Sequence, residues 1–260
     1  VYVESITNPL MKVGDLESVA SFAREHGLLS MIDNTFTGPI NYRPLEHGFD
    51  LSLHSCTKYL NGHSDVLAGA IIGRGDLVEK AGHKLIHLGG TLDPHACSLL
   101  HRGMKTLAVR MERHNLNGIE AARFLESHPK VSAVHYPGLE SSPYHERASR
   151  LFDGFGGMLS FELDAGGSPK SGDHVGSGKS GHVDPAAAER FIQNLQLPIS
   201  APSLGGVESL ITRPATTSHA SMTPEDREKA GISDGLIRLS LGIEDTDDII
   251  EDLESGLTEV

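Results

Sequence analysis

Apolar and polar positions change their period several times along this chain, and each change marks an element. Residues 1–5 (VYVES) form a short β-rich stretch, and Thr7-Asn8-Pro9 is a turn signal. Between Asp15 and His26 the apolar Leu16, Val19, Ala20, Phe22 and Ala23 predict one helical face, with Gly27 as the stop behind them. The apolar run 28–32 (LLSMI) predicts a strand that ends in polar Asp33-Asn34-Thr35. This is the helix-to-strand half of a βαβ unit, and in open α/β sheets ligands sit at the carboxyl ends of the strands. The pattern repeats with Phe49–Leu53, a strand running into His54-Ser55-Cys56-Thr57-Lys58, and with a third apolar run at 67–73. Residues 95–127 predict helices, including one long stretch from Leu99 through Leu125.

Farther along, 131–138 and 156–163 alternate as half-buried strands do, and so does 236–242, followed by a helix from Asp245 to Leu257. Strands of this kind among helices predict a smaller α+β domain. The expected organisation is α/β: residues 1–112 with a mostly parallel sheet, then 113–260 as a C-terminal α+β domain. Residues 165–184 are Gly- and Ser-rich with almost nothing apolar, the composition of a flexible insertion. Within it, Gly176, Gly178 and Gly181 spell a dinucleotide fingerprint, and Gly178-Lys179-Ser180 resembles the end of a Walker loop. Neither has a strand before it or a helix start on its last glycine, and the Walker position for the first glycine is Asp173. Both are read as products of composition.

The chain has 260 residues, 38% hydrophobic and 22% charged, which is globular composition. No run of apolar residues is long enough for a membrane span. The net charge of −13 argues against nucleic acid or an anionic membrane as a partner. Two cysteines, Cys56 and Cys97, cannot build a disulfide framework and fit a reduced, cytoplasmic setting. The opening VYVES lacks the features of a secretory leader and reads as a chain entered partway through a fold. The fifteen histidines are scattered, His54, His63 and His87 show no ligand spacing with cysteine, and no metal site is expected. Alternation points Cys56 away from its neighbours and into packing, Arg102 and Arg213 are expected in structural or surface ion pairs, and Glu244–Asp248 reads as the acidic start of a helix.

Two strand ends carry the chemistry. One presents Asp33 and Thr35, the next Ser55, Thr57 and Lys58, so a single crevice can receive a carboxylate, hydroxyls and an amine. A lysine beside small hydroxyl residues can form a Schiff base with an aldehyde while the hydroxyls hold a phosphate. A carboxylate opposite can pair with a protonated pyridine nitrogen. Those are the requirements of pyridoxal 5′-phosphate (PLP).

Four segments, 4–16, 32–65, 89–107 and 203–220, together resemble the Cys/Met-metabolism PLP enzymes. These are the trans-sulfuration family, with cystathionine γ-synthase, cystathionine γ- and β-lyases, methionine γ-lyase and O-acylhomoserine sulfhydrylases among its members. The resemblance covers nearly the whole chain apart from the insertion. It implies the aspartate aminotransferase-like architecture of fold type I and a set of roles. Lys58 is the PLP-bearing lysine and the proton-moving base, Ser55 and Thr57 lie on the phosphate side, and Asp33 partners the pyridine nitrogen. Thr35 lies beside the ring, and Asn8 contacts the cofactor's phenolic oxygen. Arg238 grips the substrate α-carboxylate, with Ser203 nearby. The implied activity is γ-elimination or γ-replacement on sulfur amino acids or activated homoserine, in a homo-oligomer, a tetramer in the family, with shared active sites.

Two departures qualify the resemblance. Family members carry an additional N-terminal part with further cofactor contacts, so a competing expectation is a truncated, non-catalytic remnant that does not hold PLP stably. Pro202 stands where cystathionine-handling members often have Glu.

Overall fold

A computed structural model describes residues 1–164 and 184–260. The insertion 165–183 and both glycine decoys lie outside the described residues. The first sheet contains β1 (Tyr2–Glu4), β2 (Met31–Asp33), β3 (Leu51–Ser55) and β4 (Gly69–Gly73) in that spatial order. β1, β2 and β3 are parallel and β4 is antiparallel to β3, a mostly parallel sheet. Between β1 and β2 runs α1 (Leu16–Glu25), capped by Asp15, which accepts the Ser18 N–H, and closed by Gly27 in the left-handed region at φ 62. Leu16, Ala20 and Ala23 are buried, but Phe22 is not: it lies at 48% exposure, stacked on His26. Six positions beyond Leu16, at about 100° per residue, it has turned off the buried stripe. The strand expected at 28–32 begins only at Met31: Leu28 closes α1 by donating its N–H to the Ala23 carbonyl, and Ser30 is tied to the Asp50 carboxylate.

Beyond β2 come the short α2 (Gly38–Asn41) and, after β4, α3 (Gly75–Leu88), which has no buried residue. The single long helix expected over 99–125 is two helices, α4 (Pro94–Met104) and α5 (Leu107–Ser127). Gly103 brings α4 so close to the turn after Lys58 that an added Cβ would lie 2.2 Å from the Asn61 carbonyl oxygen.

The second sheet holds β5 (Val131–His135), β6 (Met158–Leu163), β7 (Ile199–Ser200), β8 (Leu210–Thr212) and β9 (Ile237–Ser240), in the order β5-β6-β9-β8-β7 and antiparallel except for β7 with β8. Its helices are α6 (His145–Leu151), α7 (Pro185–Asn194), α8 (Pro224–Ala230) and α9 (Thr246–Thr258). At the acidic start of α9 only Asp245 caps; Glu244 instead accepts from the Ser209 N–H and hydroxyl. Arg213 pairs with Glu189 and donates to the Asp234 carbonyl. The helices α3, α6, α7 and α8 have no counterpart in the sequence expectation.

Each sheet has its own core, and α5 enters both: Leu107 and Met111 pack into the first, Ala121, Ala122 and Leu125 into the second. α6 and the start of β6 also pack into the first core. Cys56 is 1% exposed within that same core, and burial pushes its thiol up, which matches a packing role. Halfway along α5, His114 Nδ1 lies 2.8 Å from the Leu241 carbonyl, and Asn117 Nδ2 donates to the carbonyls of Gly242 and Glu244 at 3.0 and 3.1 Å. These bonds fix the end of β9, and hence Arg238, against the first sheet. Among the described residues no helix is long and apolar enough to cross a membrane.

Candidate active site

A cavity of about 300 Å³ opens where the carboxyl ends of β2 and β3 face β9. Asp33, Thr35 and Ser55 reach it from the first sheet, Lys58 from the turn after β3, Asn8 from the loop after β1, and Ser203 and Arg238 from the second sheet's side. Seven of the eight residues singled out in the sequence thus share one cavity. The eighth, Thr57, does not line it. Its hydroxyl spans the β3–β4 connection, donating to the Ala68 carbonyl at 3.4 Å and accepting the Ala68 N–H at 3.1 Å. Because β3 ends at Ser55, alternation does not continue to residue 57, and the turn aims the two hydroxyls differently.

The carboxylate of Asp33 is held in place by its own strand end, accepting the Thr35 N–H at 2.9 Å, while Thr35 Oγ1 accepts the Ser55 N–H at 2.9 Å. Tyr2 donates to the other oxygen of Asp33 at 3.3 Å. Side-chain Nζ of Lys58 donates to Ser203 Oγ at 2.6 Å. Burial and the nearby Arg238 guanidinium push the Lys58 amine below the ordinary lysine range, so more of it is unprotonated than in water. Ser203 takes up φ 105, a strained conformation for a residue with a Cβ. The following Gly205, at φ 73, lets that loop lie against the lysine turn: a Cβ there would be 2.8 Å from the Tyr59 nitrogen.

Arg238 is 4% exposed in the middle of β9. It donates to Asn8 Oδ1 at 3.0 Å and to the Ser203 carbonyl at 3.1 Å. Both acceptors are neutral, and burial alone pushes this guanidinium down. Among the described residues no carboxylate offsets this costly buried cation, so its corner of the cavity favours an anion. With five N–H donors on a guanidinium and two engaged, a planar carboxylate can still be gripped.

Glu4, Phe36 and Ser218 are among the lining residues that sequence reasoning missed. Glu4 faces Asp33 across the β1–β2 register, and burial pushes its carboxyl up; only strand pairing brings the two together. Phe36 supplies an apolar wall directly after Thr35. Ser218, at the mouth, lies 2.9 Å through Oγ from His219 Nδ1. The donor set fits PLP: an amine of lowered proton affinity, a carboxylate for a pyridine nitrogen, a free hydroxyl at Ser55, and a guanidinium for an amino acid's carboxylate.

Comparison with known proteins agrees. The chain is 43% identical over 258 residues to cystathionine beta-lyase of Lactococcus lactis subsp. cremoris (strain MG1363), covering 99% of this chain and 63% of that protein. It is 43% identical to L-methionine gamma-lyase of Pseudomonas putida, covering 99% of this chain and 61% of that one. The structure of cystathionine gamma synthase from Xanthomonas oryzae pv. oryzae in complex with cystathionine superposes with a TM-score of 0.90 at 42% identity, over 100% of this chain and 62% of that one. The chain therefore spans less than two thirds of the length of these relatives. Residues 1–258 match the family described as Cys/Met metabolism PLP-dependent enzyme, and the chain belongs to it.

Proposed function

We propose that this chain is the lysine-bearing part of a PLP-dependent C–S lyase or transferase that acts on sulfur amino acids or activated homoserine by γ-elimination or γ-replacement. The observation that carries the reading is Arg238: a guanidinium 4% exposed, held among the described residues by neutral acceptors only and facing the cavity of Lys58. Its task is to bind the substrate α-carboxylate in a fixed orientation, with Ser203 shaping the same corner. When bound, PLP supplies an electron sink for charge developing at the substrate α-carbon. Lys58 holds the cofactor and moves protons near that carbon, for which its lowered proton affinity suits it. Asp33 is the partner for the pyridine nitrogen, and the Tyr2 and Thr35 bonds keep its carboxylate aimed. Ser55 and Thr57 are assigned to the phosphate side, Thr35 to the ring and Asn8 to the phenolic oxygen. For Thr57 this requires its hydroxyl to leave Ala68.

The same reading includes a division near residue 112, a cytoplasmic setting and a homo-oligomer. The exposed Leu85, Ile86 and Leu88 of α3 are apolar surface that an assembly would cover. A second reading is a remnant that does not hold PLP by itself; the chain spans 63% of the cystathionine beta-lyase relative. One experiment separates them. The purified chain is mixed with PLP, then with cystathionine, methionine or an O-acylhomoserine, and both violet absorbance and released product are followed. A band that Lys58→Ala lacks, with product released from one of the substrates, supports the enzyme. Absence of both from a folded chain overturns it in favour of the remnant.

A further inference from the structure

We propose that Arg110, outside the cavity, is a positioning residue that caps the turn carrying Lys58 and thereby aims the lysine; this rests on Lys58 being the cofactor-bearing amine. Lys58 sits in a compact turn in which the Asn61 N–H donates to the Cys56 carbonyl at 2.9 Å and the Gly62 N–H to the Lys58 carbonyl at 2.8 Å. A turn of this kind leaves its last carbonyls without partners of their own. Here those are the carbonyls of Tyr59 and Leu60, and both are met by Arg110 from α5. Nη1 donates to Tyr59 O at 2.8 Å, and Nη2 reaches Leu60 O at 3.4 Å and Gly103 O at 2.9 Å. Thr106 Oγ1 accepts from Nε at 3.1 Å and sets the plane of the fork.

Arg110 is 3% exposed, and burial pushes its guanidinium down with no carboxylate among the described residues offsetting it. A cation is an expensive cap for a turn, and an apolar side chain of similar length would fill the same volume without the desolvation cost. The surrounding backbone is shaped to admit it. Gly62 lies at φ 74, and a Cβ there would stand 2.1 Å from Arg110 Nη1. A Cβ at Gly103 would stand 2.2 Å from the Asn61 carbonyl. Two glycines, one helix break and one threonine therefore converge on three carbonyls, two of which follow Lys58 directly. With those carbonyls fixed toward α5, the Lys58 side chain leaves the turn toward Ser203 Oγ. Arg110 does not line the cavity and touches no reacting group, so its effect passes through the backbone.

The test reads Lys58 itself in the chain without PLP. The rate of Lys58 acetylation by acetic anhydride is followed against pH by mass spectrometry, together with thermal unfolding, in the natural chain and in Arg110→Met, Arg110→Lys and Thr106→Val. The charged groups facing the amine's cavity, Glu4, Asp33 and Arg238, are unchanged in every variant. In Arg110→Met the amine is expected to leave its half-buried place near Arg238. Its labelling midpoint then moves up toward that of a free lysine, and the rate at neutral pH falls. Arg110→Lys, which keeps a charge but not the fork, recovers part of this, and Thr106→Val shifts the midpoint less but in the same direction. Where PLP is held, its dissociation is expected to quicken about tenfold in Arg110→Met. Lower thermal stability with an unchanged Lys58 midpoint overturns the proposal and leaves Arg110 a purely structural cap. If Arg110→Met does not fold, unchanged midpoints in both Arg110→Lys and Thr106→Val overturn it equally. Failure of the natural chain to take up PLP sinks the enzymatic reading but leaves the comparison of Lys58 labelling intact.

Discussion

Replacing Arg238 by Met tests the electrostatics of the cavity at its strongest point. The natural guanidinium already donates to Asn8 Oδ1 and the Ser203 carbonyl, so its worth to a ligand must be separated from its worth to the fold. A four-way comparison does this: natural chain and Arg238→Met, each with an amino-acid ligand and with its carboxamide. A hydrogen bond to a charged group contributes about 1.5–3 kcal/mol. Two such bonds to a carboxylate, less the cost of desolvating it, leave about 2–4 kcal/mol. That corresponds to a preference for carboxylate over carboxamide of roughly 30- to 1000-fold in the natural chain. In Arg238→Met the preference should vanish, while any loss of stability from the unpaired Asn8 and Ser203 oxygens affects both ligands alike and cancels. Isothermal titration with the PLP-loaded protein measures all four affinities. A natural chain that does not discriminate, or an Arg238→Met variant that still does, refutes the assignment of Arg238 to the carboxylate.

Three further outcomes follow from the geometry. His114 is fully buried and pushed down to about 4 from an ordinary 6.5, so the unfolded chain takes up its proton first as the medium is acidified. Stability is complete above pH 6.5 and falls as the pH drops toward 4, by about 3 kcal/mol at most for this residue. The gap between urea midpoints at neutral and mildly acidic pH should narrow in His114→Gln, the remainder belonging to groups such as His135, which burial also pushes down to about 4; an unchanged gap contradicts this. Gly205→Ala, forced into φ 73 with its methyl 2.8 Å from the Tyr59 nitrogen, should lose about 1–3 kcal/mol in thermal unfolding and loosen the Ser203–Lys58 contact. Ser55→Ala should weaken PLP affinity more than Thr57→Val does, because only Ser55 lines the cavity; equal losses in equilibrium dialysis show that the Thr57 hydroxyl leaves Ala68 when the cofactor binds.

Much of the lining of the candidate cavity was legible in the sequence because strand ends are marked by polar residues behind apolar runs. Asp33, Ser55 and Lys58 follow that rule, and Asp15, Asp245 and Gly27 mark helix ends by equally local chemistry. Phe22 lies off the buried stripe by its own angular position, which the helical period already contains. Local pattern failed where a distant contact decided. Thr57 was grouped with Ser55 by spacing, but the turn after β3 turned its hydroxyl to Ala68.

The order of residues by itself determined which side chains could do chemistry and roughly where strands and helices run, since propensity, capping and amphipathic period act over a few positions. Tertiary structure alone decided that Arg238 meets Asn8 across 230 positions, that Glu4 faces Asp33, and that Arg110 reaches the carbonyls behind Lys58. The first depends on how the two sheets dock along α5, the second on the pairing of β1 with β2, and the third on α5 packing against the turn after β3. Burial, which turns an ordinary arginine or lysine into a group with altered charge behaviour, is a property of the packed interior and has no signature in local sequence.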